Sequence, residues 1–319
     1  MTQIDLKFLK HSRPHFPVLI QEVLDNLNLP SENSAESKIY LDCTFGAGGY
    51  SEHILANPNT QVIAIDRDAT TQPTAVQLAQ KYPEKFQFFL DTFSNYPQIL
   101  DSLNTKVDGI IMDLGFSSMQ ITDTSRGFSF KNDAPLAMTM GLNNTTAYEF
   151  INKASESTIA DVIYYYGEEH AAKRIAKKII YKRQIEEIKT TTQLANIVRG
   201  VVGGKGKIDP ATKTFQAIRI YINDELHELQ SALKNAYTYL KPQGRLAVVS
   251  FHSLEDRIVK DFFNENGEVV KKFTNYKPNP ATVQSKYKIL TKKPILPDKE
   301  EIAINPPSSS AKLRVVELL

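Results

Sequence analysis

The chain has 319 residues, 38 Lys and Arg against 36 Asp and Glu, a net charge of +2 and 41% hydrophobic residues. That length holds one large or two ordinary domains, and so small a net charge does not by itself mark a nucleic-acid binder. One cysteine excludes internal disulfides and a cysteine-rich zinc site. No apolar run approaches the roughly 18 residues of a membrane span, and the first fourteen residues lack a signal-like apolar core, so a reducing cytoplasm is the expected compartment.

In chain order, Val18, Leu19, Val23, Leu24 and Leu27 recur at helical spacing within 15–28, with Pro17 near the start. Residues 29–37 read as polar loop. Strands are then expected at Ile39–Cys43, Val62–Asp66, Phe86–Leu90 and Val107–Asp113, alternating with helical stretches such as Ala69–Lys81. This alternation predicts a parallel sheet with crossover helices, an α/β fold. From about Gln120 to Arg219 the pattern shows loops and helices without a convincing strand. After a helix ending in Lys241-Pro242-Gln243-Gly244, a strand is expected at Gly244–Ser250. Tyr287–Thr291 and Leu313–Leu318 would close the sheet as an antiparallel pair. The expected organisation is a discontinuous domain of residues 1–119 and 220–319, interrupted by a helical domain at 120–219.

The most informative segment is Asp42-Cys43-Thr44-Phe45-Gly46-Ala47-Gly48-Gly49-Tyr50. A strand ending in an acid, then a glycine-rich turn, then a helix start is where α/β proteins bind adenosine-containing cofactors, because glycines let the backbone approach a ligand. Asp66, 17 residues beyond Gly49, ends the second strand where an acid meets ribose hydroxyls. The turn reads G-A-G-G-Y-S from Gly46, so Ser51 replaces the third glycine of a dinucleotide fingerprint, and there is no Walker lysine. An acid at Asp42 would repel a pyrophosphate but suits a cation, which favours S-adenosylmethionine, with its sulfonium and ammonium, over NAD or FAD. A glycine-rich turn with no ligand is the remaining alternative. Phe93, just past the third strand, is placed to stack on adenine or to serve as plain core.

Longer motifs carry a resemblance. They include Asp113-Leu114-Gly115-Phe116-Ser117-Ser118-Met119-Gln120, Arg126-Gly127-Phe128-Ser129-Phe130, Pro210-Ala211-Thr212-Lys213-Thr214-Phe215-Gln216-Ala217 and Ser250-Phe251-His252-Ser253-Leu254-Glu255-Asp256-Arg257. With His15-Phe16-Pro17-Val18-Leu19, Tyr166-Gly167-Glu168-Glu169 and Lys173-Arg174-Ile175-Ala176, they run in order from about His15 to Glu317. In these the chain resembles the RsmH (MraW) methyltransferases, which methylate the exocyclic N4 amine of one cytidine in the decoding region of small-subunit ribosomal RNA. The resemblance implies a Rossmann-like class I methyltransferase sheet with an inserted all-helical substrate-recognition domain. It also implies S-adenosylmethionine contacts at Gly48, Gly49, Tyr50, Asp66, Phe93, Asp113 and Gln120. Tyr50 stands where the family commonly has histidine, so only its backbone contact carries over. Two further departures fall at Asp133-Ala134-Pro135-Leu136-Ala137-Met138-Thr139-Met140, which lacks an acid and an arginine of the family pattern, and at Asn305–Arg314, which lacks two arginines.

Methyl transfer from a sulfonium is an in-line displacement, so alignment is the main demand. The lone pair of a cytosine amine is delocalised, and acceptors for its N–H protons favour the reactive geometry. Asp113 is the first candidate for a polar contact between cofactor and base, its alternative role being to cap the following turn. Ser117, Ser118 and His252 are further candidates for holding the base edge. Seven cations cluster from Lys173 to Lys189. On a helix, Ala171, Ala172, Ile175 and Ile179 would face inward and leave most of them outside, as a solvated face or, given the resemblance, a track for RNA phosphates. Lys173, Arg174, Lys177 and Lys178 are the expected RNA contacts, with Lys213, Arg219 and the Gly203–Lys207 loop extending them. The target cytidine is expected flipped or single-stranded. No metal and no membrane are expected, the partner is small-subunit RNA, and the protein is expected as a monomer or homodimer. The competing readings are methylation of another nucleic-acid base and a non-catalytic ribosome-assembly factor with a vestigial pocket.

Overall fold

The computed structural model describes residues 17–142, 145–203, 206, 208–267 and 285–319. They form two compact units, one running to Gly115 and resuming at Glu228–Leu319, the other spanning Phe116–His227. The expected start of the first helix at His15 and Phe16, and Gly204, Lys205 and Lys207 of the glycine-lysine loop, lie outside the described residues. Among the described residues no helix is long and apolar enough to cross a membrane.

The first unit is built on seven strands: β1 (Lys38–Asp42), β2 (Thr60–Asp66), β3 (Phe86–Leu90), β4 (Val107–Asp113), β5 (Leu240–Ser250), β6 (Tyr287–Ile289) and β7 (Lys312–Leu318). Their order is β3-β2-β1-β4-β5-β7-β6. The first five pair in parallel, while β7 runs antiparallel to both β5 and β6. This is a Rossmann-like sheet closed by an antiparallel pair. Side chains alternate between two apolar layers, with Tyr40, Val62, Ile111 and Val249 in one and Leu41, Ile63, Ile110 and Val248 in the other. A sheet covered on both faces explains why its strands read as continuous apolar runs. Gly109 in β4 pairs with Tyr40, and a Cβ there would lie 2.7 Å from the Tyr40 ring, so a buried tyrosine lies across the glycine.

Two boundaries differ from the sequence reading. β5 begins at Leu240, which pairs with Val107, and the ladder resumes only at Arg245 opposite Gly109. Lys241-Pro242-Gln243-Gly244, read from sequence as a helix end, is an excursion within the strand: Pro242 has no N–H to donate, and Gln243 sits at φ 63. The first described helix, α1 (Ile20–Asn26), starts late because Leu19 adopts φ 54. The Leu19 N–H instead donates to Glu301 Oε1 at 2.8 Å.

Further helices of this unit are α2 (Gly49–Leu55), α3 (Gln72–Lys81) and α4 (Tyr96–Ser102). The second unit contains α5 (Ser118–Thr122), α6 (Ala147–Lys153), α7 (Glu156–Gly167), α8 (Ala172–Arg183), α9 (Thr191–Val202) and α10 (Ala211–Asn223). The chain continues with α11 (Glu225–Tyr239), α12 (Ser253–Asn266) and α13 (Lys299–Ile304). The second unit has no strand among its described residues, and its own core is formed by side chains such as Ile159, Ile163, Ile175, Ile179, Leu194 and Ile218. Thr146 and Thr190 close capping boxes with Glu149 and Gln193. Gly167 lets α7 and α10 touch, since a Cβ there would lie 2.7 Å from the Lys213 carbonyl. The unit is wider than 120–219 because Phe116 packs on Phe128 and because α10 runs on to Asn223, whose amide holds the Met138 and Met140 backbone.

Asp42, at the end of β1, is fully buried. Its carboxylate accepts from Ser51 Oγ at 2.7 Å and from the Thr44 N–H at 3.2 Å, tying the strand to α2 across the glycine turn. Burial pushes its pKa up from 3.8 to about 6, against the partial relief of those bonds. The folded state therefore holds this proton more tightly than the unfolded chain, and the contribution of Asp42 to stability declines as pH rises from about 4 to about 6. Asp42→Asn cannot ionise. In urea titrations the wild type should lose stability relative to this variant by on the order of 1–3 kcal/mol between pH 4 and pH 7. A difference that stays flat across that window would show that Asp42 is already ionised in the fold.

Candidate active site

β1 sends its chain first to β2 and β3 on one side, and only later do β4 and β5 extend the sheet on the other. Ligands of such sheets bind at this reversal, beyond the carboxyl ends of the strands. Three aspartates, Asp42, Asp66 and Asp113, end β1, β2 and β4 there.

Hydrogen bonds between strand ends shape the glycine turn. The Cys43 N–H donates to the Ile111 carbonyl at 2.9 Å and the Phe45 N–H to the Ile65 carbonyl at 3.0 Å. The Gly46 N–H donates to Asp66 Oδ2 at 2.7 Å, and the Asp113 N–H to Thr44 Oγ1 at 2.8 Å. Gly46 and Gly48 both have positive φ, 52° and 76°. A Cβ on Gly48 would meet the Phe45 ring at 2.9 Å, so this position is doubly restricted to glycine. Gly49 is restricted for a different reason: a Cβ there would lie 2.4 Å from Pro17 Cγ. The Tyr50 side chain turns into the core and donates its hydroxyl to the Val18 carbonyl, leaving only its backbone at the helix start.

Asp66 keeps partial exposure while accepting from the Gly46 and Asp68 N–H groups at 2.7 and 2.8 Å. Burial raises its pKa to about 6, partly offset by these two bonds. Each oxygen retains a lone pair for a ligand hydroxyl. Phe93 lies in a short 3-10 turn beyond β3 and packs, partly buried, against the layer of Leu41, Cys43 and Ile65.

Asp113 differs from its neighbours. Its Oδ1 is buried and has no hydrogen-bond partner among the described residues. Burial drives its pKa well up, reinforced by the fields of Asp42, Glu255 and Glu301. An unpartnered buried carboxyl among other acids is costly unless a ligand supplies a donor or a positive charge. The edge therefore fits a cationic nucleoside cofactor: a glycine turn without room for a Cβ, an acid with lone pairs free for a ribose, and an orphaned acidic oxygen. Asp42, read from sequence as suiting a cation, has its own oxygens buried and bonded internally, so it bears on this edge through its charge alone.

His252 caps α12: its Nδ1 accepts from the Glu255 N–H at 3.4 Å, while Glu255 Oε2 accepts from the Phe251 and His252 N–H groups at 2.8 and 3.3 Å. His252 Nε2 lies 3.1 Å from Glu255 Oε1 without hydrogen-bond geometry. Glu255, which the sequence reading did not select, is 2% exposed and is the buried acid in the first turn of α12 that holds this corner. Its signal was the acid three residues after a helix-capping position.

The remaining residues belong to the second unit. Ser117 and Gln120 form a capping box on α5, with the Ser117 N–H donating to Gln120 Oε1 at 2.9 Å and the Gln120 N–H to Ser117 Oγ at 3.3 Å. Gln120 Nε2 reaches the Met140 carbonyl at 3.4 Å, so its side chain is engaged in holding its own unit together. Ser118 provides the first residue of α5. Lys173, Arg174, Lys177 and Lys178 are exposed on α8, opposite buried Ile175, Ala176 and Ile179. Arg219 is engaged within its own unit: its guanidinium grips Glu225 with two 2.8 Å bonds and lies 4.9 Å over the Phe116 ring. Lys213 donates to the Glu168 carbonyl at the end of α7. In the same way Arg183, one of the seven clustered cations, donates to the Ile151 carbonyl.

Comparison with known proteins follows the same lines. A family model described as the MraW methylase family matches residues 12–319. Ribosomal RNA small subunit methyltransferase H of Rickettsia conorii is 47% identical over 312 residues, covering 96% of this chain and 98% of that protein. The protein of the same name from Rickettsia bellii is 48% identical over 308 residues, covering 96% and 99%. Among solved structures, an rRNA methylase from Streptococcus thermophilus aligns with TM-score 0.41 and 11% identity over 94% of this chain and 93% of its own. A match across nearly the whole length, at close to half identity with full-length relatives, places this methyltransferase in the MraW methylase family.

Proposed function

We propose that the chain transfers a methyl group from S-adenosylmethionine to the exocyclic N4 amine of a cytidine in the decoding region of small-subunit ribosomal RNA. The observation that carries the reading is the orphaned Asp113 Oδ1 at the switch point of the sheet, beside the glycine turn and the partly exposed Asp66. The names of the full-length relatives support ribosomal RNA as the acceptor class.

Each residue has a distinct task. Gly46 and Gly48 would give the backbone its close approach, Asp66 would accept from ribose hydroxyls, and Phe93 would pack its ring against the adenine. When bound, the cofactor supplies an electrophilic methyl carbon, and the protein's contribution is alignment and charge. Asp113 is the acceptor that orients the amine: its unpartnered oxygen would take an N–H of the base, favouring the reactive geometry, and would receive that proton as the new N–C bond replaces the S–C bond and leaves a neutral thioether. A cation beside Asp113 also opposes the burial that raises its pKa, so cofactor binding and ionisation of Asp113 reinforce one another. His252 and Glu255 fix the neighbouring corner, and Ser117 caps α5; these are positioning roles. Lys173, Arg174, Lys177 and Lys178 remain the proposed phosphate contacts of the helical unit.

Incubation with labelled cofactor and isolated small subunits, followed by mass mapping of the nucleoside, tests the assignment, which predicts N4-methylcytidine. Label on another base would reassign the acceptor, and no transfer to RNA would remove it. Asp113→Ala should lower kcat by two orders of magnitude or more with the circular dichroism spectrum unchanged. Asp66→Ala should instead weaken cofactor binding in calorimetry by roughly tenfold or more. Lys177→Glu with Lys178→Glu should raise KM for RNA and leave cofactor affinity intact; equal loss of both would argue against a basic RNA track.

A further inference from the structure

Exposed aromatic side chains on the second unit are left unexplained by its core and by the cofactor site. Tyr164, Tyr165 and Tyr181 are 50%, 64% and 55% exposed, although each carries a large apolar ring. Tyr164 and Tyr165 meet edge to face at 5.2 Å at the end of α7, and Tyr164 faces the exposed His170 ring at 6.5 Å. Tyr181 stands near the other end of α8, with Lys178 Nζ 5.2 Å from its ring centre.

The helix between these groups is cationic on its outer side. Lys173, Lys177 and Tyr181 follow one another at four-residue intervals, and Arg174 and Lys178 form the adjacent row. Among the described residues no carboxylate pairs with any of these four cations. Lys173 and Tyr181 are separated by about 12 Å of helix rise. Aromatic rings at both ends of a strip of unpaired cations match the requirements of a single strand, whose phosphates seek positive charge and whose unstacked bases seek flat apolar surface. A duplex would present no open base faces to these rings.

We infer that this face of α7 and α8 is a stacking platform for unpaired bases of an RNA single strand, with Tyr164, Tyr165 and Tyr181 as the stacking rings and the lysines between them holding the backbone. The platform rests on the proposed RNA acceptor and adds to it the form of RNA engaged: an open strand held by base faces as well as by charge. The cation row alone accounts for affinity to any polyanion; the tyrosines add a preference for unpaired bases.

The test measures binding of a short labelled RNA without self-complementarity by fluorescence anisotropy over a range of salt, using the full chain. Replacing Tyr164 and Tyr165 together, or Tyr181, by Ala should weaken binding roughly tenfold per stacking site with the salt slope unchanged. The corresponding Phe variants should stay within about twofold of wild type, because stacking needs the ring and not the hydroxyl. Lys177→Ala should lower the salt slope by about one. Because the chain has no tryptophan, tyrosine emission should be quenched by RNA in the wild type and less so in the Ala variants. Ala variants that bind RNA as tightly as wild type would overturn the platform, as would variants that lose only the assembled subunit, which would assign the face to a ribosomal protein. A wild-type chain that binds no RNA would instead strike at the proposed acceptor.

Discussion

Three hydrogen bonds between the ends of adjacent strands hold the region on which the rest of the structure depends: Phe45 N–H to the Ile65 carbonyl, Gly46 N–H to Asp66, and Asp113 N–H to the Thr44 hydroxyl. They fasten the turn after β1 to β2 on one side and to β4 on the other. The turn can follow this path only because Gly46 and Gly48 adopt positive φ, and a side chain at Gly48 would strike Phe45. Asp42 fixes the same turn from below through Thr44 and Ser51. A binding edge is thus imposed by backbone geometry before any ligand arrives.

The carboxylates at this edge divide by what their oxygens touch. Asp42 is bonded internally and buried, Asp66 is bonded to backbone but partly open, and Asp113 keeps one oxygen with no partner among the described residues. Residues of one chemical type at equivalent strand ends are therefore an internal strut, a partly open acceptor and, as proposed, the acceptor at the reacting centre. Burial raises the proton affinity of each, and neighbouring acids add to it at Asp66 and above all at Asp113, whose neighbours include Asp42, Glu255 and Glu301. A cation relieves that repulsion, which makes charge as well as shape a determinant of what binds.

The helical unit shows the reverse economy. Several cations that look available in sequence are bound within the unit: Arg219 on Glu225 and Phe116, Arg183 on the Ile151 carbonyl, Lys213 on the end of α7. Among the described residues Lys173, Arg174, Lys177 and Lys178 of α8 have no carboxylate partner, and Lys178 lies beside the exposed Tyr181. Pro307 and Ser309, two positions where the related sequence pattern has arginine, are exposed and neutral.

Much of this was legible in the amino-acid order. The parallel strands announced themselves as apolar runs, three of them ending in aspartate, because a sheet covered on both faces needs apolar residues at every position. The glycine turn was readable because positive φ and missing Cβ atoms demand glycine, and the helical character of the second unit followed from its spacing of apolar residues. Tertiary structure alone decided which acids are bonded internally and which keep an oxygen without a partner among the described residues, since the difference lies in partners such as Ser51 and Thr44 that no spacing rule relates to Asp42 and Asp113. It also decided that Lys241–Gly244 leaves the ladder inside a strand and that Arg219 is spent on an ion pair. Local sequence fixes backbone preference and burial period; the pairing of a charge is set by whatever the fold brings within about 3 Å of it, and that is a property of the folded chain.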